Sequence, residues 1–347
     1  MRLTNPESSA RLLPTPPPRR NPVVRWARGA AREIEWPLSV PVLILTALLV
    51  LYIALQPSAL SVGTLTSNLN DALPLIFVCA GQTIVIISGG IDLSVGGVVS
   101  LINVLAATHL TGGVPALIGW SLVLVLLGLA VGTLNGVLIA LGNLSAVIVT
   151  IATWSIGGGI ALFILASPGG NVARADQDFW SGATMGWPNA LTAILILVIG
   201  WRLLRRTRTG VSLYAVGSDA EAARLTGVVV WRARLLAYAL SGGLSALAGL
   251  VLAADTATGD PTVGTPFILN SIAAAVIGGT AITGGRGGVT RGALGACIFT
   301  VVGDVLFAAS VSPFLTPLVT GLVLIVVVGI TVLAPVMVMR LRRRGRP

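Results

Sequence analysis

Ionisable and strongly polar side chains inside long apolar runs are where this sequence could do chemistry. Asp92 stands in Gly89-Gly90-Ile91-Asp92-Leu93-Ser94-Val95-Gly96, and Asp304 lies in another apolar run. An acid at membrane depth costs about 2.5–3.5 kcal/mol on insertion scales, so each needs a reason to be there. For Asp92 the first reading is a cap on the following helix, taking backbone N–H groups near Ser94 and Val95. The second is a direct role toward cargo or a proton. Gln82, Asn103, Asn135, Thr150 and Thr153 interrupt otherwise apolar stretches. They suit a polar path for a hydroxylated solute, or hydrogen bonds between helices. The single histidine, His109, and the two cysteines, Cys79 and Cys297, show no ligand spacing, so no metal site is expected. All 22 basic residues are Arg. A P-loop needs a Lys to reach nucleotide phosphates, so this chain carries none.

Those residues must be positioned by membrane helices. Of 347 residues, 55% are apolar and only 10% charged. A soluble domain carries about 25% charge, so both a soluble enzyme and a disordered chain are excluded. Runs of about 20 apolar residues span a bilayer. Ten are expected, near 37–56, 69–88, 92–110, 114–141, 145–166, 188–204, 235–254, 267–285, 292–310 and 315–338. The fold class is therefore all-α and polytopic. Residues 1–36 form an Arg- and Pro-rich tail without a signal-peptide cleavage pattern, 37–339 the membrane domain, and 340–347 a basic tail. Between 69–88 and 92–110 stand only Gly89, Gly90 and Ile91, so 69–110 is either two helices or one broken, re-entrant element.

Orientation follows from arginine. The first tail holds seven, the 202–234 loop seven, Arg286 and Arg291 lie in one short link, and the last tail holds five. Ten spans put all four regions, and both termini, on the cytoplasmic side. The basic excess is then a topology signal beside anionic lipid, and nucleic acid is not an expected partner. Within the 202–234 loop, Ser218 or Asp219 can cap an Ala-rich helix ended by Gly227. A helix so short is marginal in water, so it either docks into a partner or is a plain connector.

Three stretches resemble the permease subunits of ribose-type ATP-binding-cassette sugar importers. They are Gly89–Gly96, then Glu221-Ala222-Ala223-Arg224-Leu225-Thr226-Gly227 with Tyr238-Ala-Leu-Ser-Gly242, and Ile277-Gly278-Gly279-Thr-Ala-Ile-Thr-Gly284-Gly285-Arg286-Gly287. The similarity covers residues 40–335. Family members usually carry Pro-Phe where this chain has Ala146-Val147. The resemblance implies a bacterial inner-membrane permease, not an enzyme. It implies a separate ATPase that binds ATP and magnesium, an extracytoplasmic sugar-binding protein and a second permease copy. It makes Ser218, Asp219, Glu221, Ala222, Arg224, Leu225 and Gly227 the ATPase-coupling helix. Gly89, Gly90, Asp92, Ser94, Gly96, Gly278, Gly279, Gly284, Gly285 and Arg286 become structural motif residues. An ion-coupled secondary transporter and a branched-chain amino-acid permease are the alternatives.

Overall fold

Backbone withdrawn from water satisfies its own N–H and C=O groups most simply as helix, and the apolar runs obey that rule. The structure is a computed structural model that describes residues 38–184, 187–312, 314–315, 318–319 and 321–322. Among these are twelve α-helices: α1 Ser39–Leu55, α2 Val62–Ile87, α3 Val95–His109, α4 Val114–Ala140, α5 Ala146–Ile164, α6 Arg174–Ser181, α7 Asn189–Arg206, α8 Arg208–Ser218, α9 Ala220–Leu225, α10 Val230–Thr256, α11 Thr265–Ile277 and α12 Val289–Ala308. A 3-10 turn, Pro57–Leu60, joins α1 to α2, and Ala183–Thr184 pairs with Trp187–Pro188 in a minimal hairpin. Five helices are long and apolar enough to cross a membrane: α2, α4, α5, α10 and α12. Nine of the ten expected runs meet a helix. Most of the tenth, 315–338, and both tails lie outside the described residues.

α2 is the centre. Every residue from Ala72 to Ser88 is buried. α10 packs along it, with α4 on the other side of α10. Gly128, Gly132 and Gly136 of α4 face Gly242, Tyr238 and Leu235 of α10, so small residues at four-residue spacing let the two backbones close up. The outer faces of α4 and α5 expose Leu122, Leu126, Leu134, Ile148, Ile156 and Phe163, as lipid-facing helices do.

The structure corrects three boundaries. α3 starts at Val95, not at residue 92, so 69–110 is two helices joined by a link at 88–94. The run 267–285 is helical only to Ile277. Gly284 and Gly285 have φ of +84° and +73°, which a right-handed helix forbids, although the segment is apolar enough to read as span. The 202–234 loop is mostly helix: α7 runs on to Arg206, and α8 and α9 follow.

Before α11, residues 257–264 run without helical bonding alongside α3. Their backbone is satisfied from the side. Asn103 Oδ1 accepts Asp260 N at 2.7 Å, Ser100 Oγ accepts Gly264 N at 3.0 Å, and Gly259 pairs with Gly169. Irregular backbone among membrane helices persists only where protein supplies such partners.

Candidate functional site

Gly89 of the first sequence stretch and Gly284–Gly287 of the third meet at one end of the helix body, against the end of α8 that just precedes the second. The end of α2 presents Ile87 O, which accepts Gly285 N at 2.9 Å. Gly217, in the last turn of α8, lies so close that a Cβ there would overlap Ile87 O. Gly284 sits against Gly217 O and the Cα of Gly89, and Gly285 against Ser218. Tyr214 Oη donates to Gly287 O at 2.9 Å. Glycine is required at 217 by this approach and at 284 by approach and positive φ together. Gly278 packs on the backbone of Arg291, Gly279 N closes the end of α11 on Val276 O, and the Arg286 carbonyl accepts Ala281 N at 3.2 Å.

Directly after this junction comes α9, a six-residue helix finished at both ends. Asp219 caps it, its Oδ1 accepting Glu221 N at 3.0 Å and Ala222 N at 3.1 Å. Ser218 closes α8 instead. Gly227, at φ +86°, donates its N–H to Arg224 O, and Val228 N reaches Ala223 O, which is the Schellman ending. Ala223 is buried and anchors the helix. Glu221, Ala222, Arg224 and Leu225 face outward, and Glu221 and Arg224 pair at 2.8 Å. Leu225 is 81% exposed. The helix is thus tightly terminated, with its one large apolar side chain left open.

The polar residues fall into separate places. Asp92 is fully buried, and its Oδ1 accepts Ser94 N at 2.9 Å and Ser94 Oγ at 2.5 Å. It therefore makes a turn ahead of α3 and does not reach Val95, which corrects the expected capping pattern in detail. Asn135 Nδ2 donates to Ser94 Oγ at 2.9 Å, and Thr153 Oγ1 donates to Asn135 Oδ1 at 2.6 Å. This chain of bonds ties the 88–94 link to α4 and α5. Tyr238 Oη donates to Ile91 O at 3.3 Å and ties it to α10, with Gly90 against the phenol. Gly96 packs on Gly264 and Ile268. Of the expected path residues, the structure thus unites Asn135 and Thr153. Thr150 returns to its own helix through Ala146 O, Asn103 holds Asp260, and Gln82 is fully buried with neither amide atom hydrogen-bonded to a described residue.

Sequence reasoning missed a group of acids. Asp71 of α2 and Asp255 of α10 lie within hydrogen-bonding reach, with Asp304 of α12 beside them. At 1.5 Å per residue Asp71 is about 24 Å along α2 from Ile87, so the group belongs to the end opposite the junction. Asp71 inside an expected span was the available signal. Cys79 donates to Gly292 O, and His109 stacks on Trp120 at 4.0 Å; both are packing roles.

No solved structure matches the chain. Among curated proteins, it is 36% identical to a probable ABC transporter permease protein of Sinorhizobium fredii, the alignment covering 81% of this chain and 85% of the relative. It is 34% identical to a ribose import permease protein of Bacillus subtilis (83% and 90%) and 31% identical to a fructose import permease protein of Bifidobacterium longum (84% and 89%). Residues 64–328 match the family described as branched-chain amino acid transport system / permease component. Breadth of coverage and level of identity together place the chain in that permease family, to which it belongs.

Proposed function

We propose that this chain is the membrane subunit of an ATP-binding-cassette importer for a sugar or related polyol. The observation that carries the reading is α9, an exposed helix closed at both ends and seated on the Gly217–Gly284–Gly285 junction. A separate ATPase would hold ATP and magnesium, since a chain without Lys has no P-loop. ATP-driven closure of that partner would press on Glu221, Arg224 and Leu225. The contact at Gly217 leaves no slack, so the push passes to the end of α2 and to the 278–288 turn as a rigid-body movement. Ten spans with both termini in the cytoplasm fit the arginine distribution, and place α9 on the ATPase side of a bacterial inner membrane. A second permease copy would complete the path. An extracytoplasmic binding protein would deliver cargo to the opposite end, where Asp71, Asp255 and Asp304 lie.

Sugar is favoured over the other cargoes because relatives at 31–34% identity are named for ribose and fructose import. A neutral polyol also needs no charge at mid-path, and the polar groups near the link, Asn135 and Thr153, are neutral. Ion coupling would need a relay of titratable groups through the membrane, whereas Asp92 is engaged by Ser94 and Asp71, Asp255 and Asp304 gather at the other end. The test is reconstitution with the cognate ATPase and binding protein in vesicles. ATP-dependent uptake of a pentose or hexose, without uptake of leucine, is expected. Leucine uptake would transfer the assignment to branched-chain amino acids, and uptake driven by an ion gradient without ATP would transfer it to a secondary transporter.

A further inference from the structure

Beside the junction, a cavity of about 210 Å³ opens between the α2–α3 link, the α4–α5 link and the first turns of α10. Its walls include Ser88, Gly89, Asn143, Ala146, Arg234 and Tyr238. Two of the polar groups are already engaged: Ser88 Oγ donates to Val85 O, and Tyr238 Oη to Ile91 O. Arg234 is half-buried and has no ion-pair partner among the described residues, whose salt bridges are Arg174–Asp178 and Arg224–Glu221. None of the lining residues is acidic. A half-buried guanidinium beside a cavity with no acid in its lining favours an anion there. The fork of five N–H donors matches the oxygens of a phosphate or a carboxylate in pairs, and basic pockets between membrane helices take phosphate headgroups.

We propose that this cavity is a binding site for a phosphate group, held by the Arg234 guanidinium with the Asn143 amide and the Ala146 N–H as further donors. The space equals about seven waters at their liquid volume of about 30 Å³, so a phosphate group with part of its hydration fits. Asn143 stands at φ +52° on the rim, and Ser145 makes no side-chain cap to the start of α5, whose first N–H is that of Ala146. An occupied site links the α2–α3 and α4–α5 connections to α10 next to Gly89, which itself packs on Gly217 and Gly284. Occupancy therefore stiffens the seat of α9. The phosphate belongs either to a soluble phosphoester or to the headgroup of an anionic phospholipid, and the two sources give different results below.

The test uses the full chain, purified in neutral detergent and stripped of lipid, with inorganic phosphate as probe and chloride at matched ionic strength as control. A saturable rise in melting temperature with phosphate is expected for a soluble source. For a lipid source, vesicles of phosphatidylcholine with phosphatidylglycerol are the probe. The wild type then retains phosphatidylglycerol through detergent extraction, read by mass spectrometry, while phosphate gives no shift. Arg234→Gln lowers the affinity in whichever assay responds by at least about tenfold. Ala146→Pro, tolerated at the first position of a helix, keeps the fold, removes one donor and fills part of the cavity. It weakens binding less, and it carries the test if Arg234→Gln misfolds. A wild type that responds in neither assay, or variants that respond as the wild type does, overturns the proposal.

Discussion

Gly217 and Leu225 are eight residues apart and live in opposite surroundings. Gly217 is pressed against the carbonyl of Ile87 with no room for a methyl group, whereas Leu225 is 81% exposed. Asp219 marks the border, ending one helix and capping the next. One sequence stretch therefore contains both a fixed seat and a free contact surface. The proposed coupling role would use both, because a push on a loosely seated helix is absorbed before it reaches the body.

Four sets of substitutions break or sharpen that contrast. The largest effect is expected from Gly217→Ala. Overlap with backbone cannot be relieved by a rotamer change, so a loss of about 3 kcal/mol or more is expected, seen as lost folded yield in detergent chromatography. Normal yield and melting temperature would mean that the seat is not tight. The double reversal Glu221→Arg with Arg224→Glu preserves their mutual pairing and leaves melting unchanged, since exposed pairs contribute little. Adding Leu225→Asp to it should reduce ATPase co-purification at least about tenfold, which is about 1.4 kcal/mol. Intact assembly in this triple variant would remove α9 from the interface. Asp92→Ala frees Ser94 and costs about 1–2 kcal/mol in thermal or denaturant melting, while Asp92→Asn keeps the Oδ1 acceptor and should melt within about 0.5 kcal/mol of wild type. A large loss in Asp92→Asn, or altered cargo choice with an unchanged melt, would point to the charge itself. The smallest effect belongs to Asp219→Ala. Loss of the cap costs α9 about 1 kcal/mol, read as faster local hydrogen exchange over 220–225 with no change in global melting.

Local pattern explains what was legible. The caps of α9 followed from residue type alone, because an Asp ahead of Ala-rich sequence and a Gly after it act within a few residues of themselves. The same holds for the long apolar helices α4, α5 and α10. Hydropathy failed at 278–285, where apolar residues are carried on a backbone that glycine turns aside, and at Arg208–Ser218, where charges at one end concealed a helix. The meeting of Ile87, Gly217 and Gly285 was not legible at all. It depends on contacts between residues 68 to 198 positions apart, and no short-range periodicity encodes those. For the same reason the five polar path residues read as one set, although the structure divides them among Ser94, Asp260, a helix's own backbone and a buried amide without a partner among the described residues.

The burial of α2 has a consequence for how the protein is made. This helix carries Asn68, Asn70, Asp71, Gln82 and Thr83, and Pro74 breaks its own hydrogen-bond ladder. On insertion scales the single acid would cost about 2.5–3.5 kcal/mol at the bilayer centre. In the finished fold neighbouring helices bury the stretch from Ala72 to Ser88, Gln82 and Thr83 included, while Asp71 stays at its exposed edge. Yet α10, which packs along it, begins 143 residues after α2 ends (Val230 against Ile87). At about 5–20 residues per second that is a wait of roughly 7–30 s. For that interval a spanning helix that carries Gln82 and Thr83 toward its C-terminal end stands in lipid without its main cover.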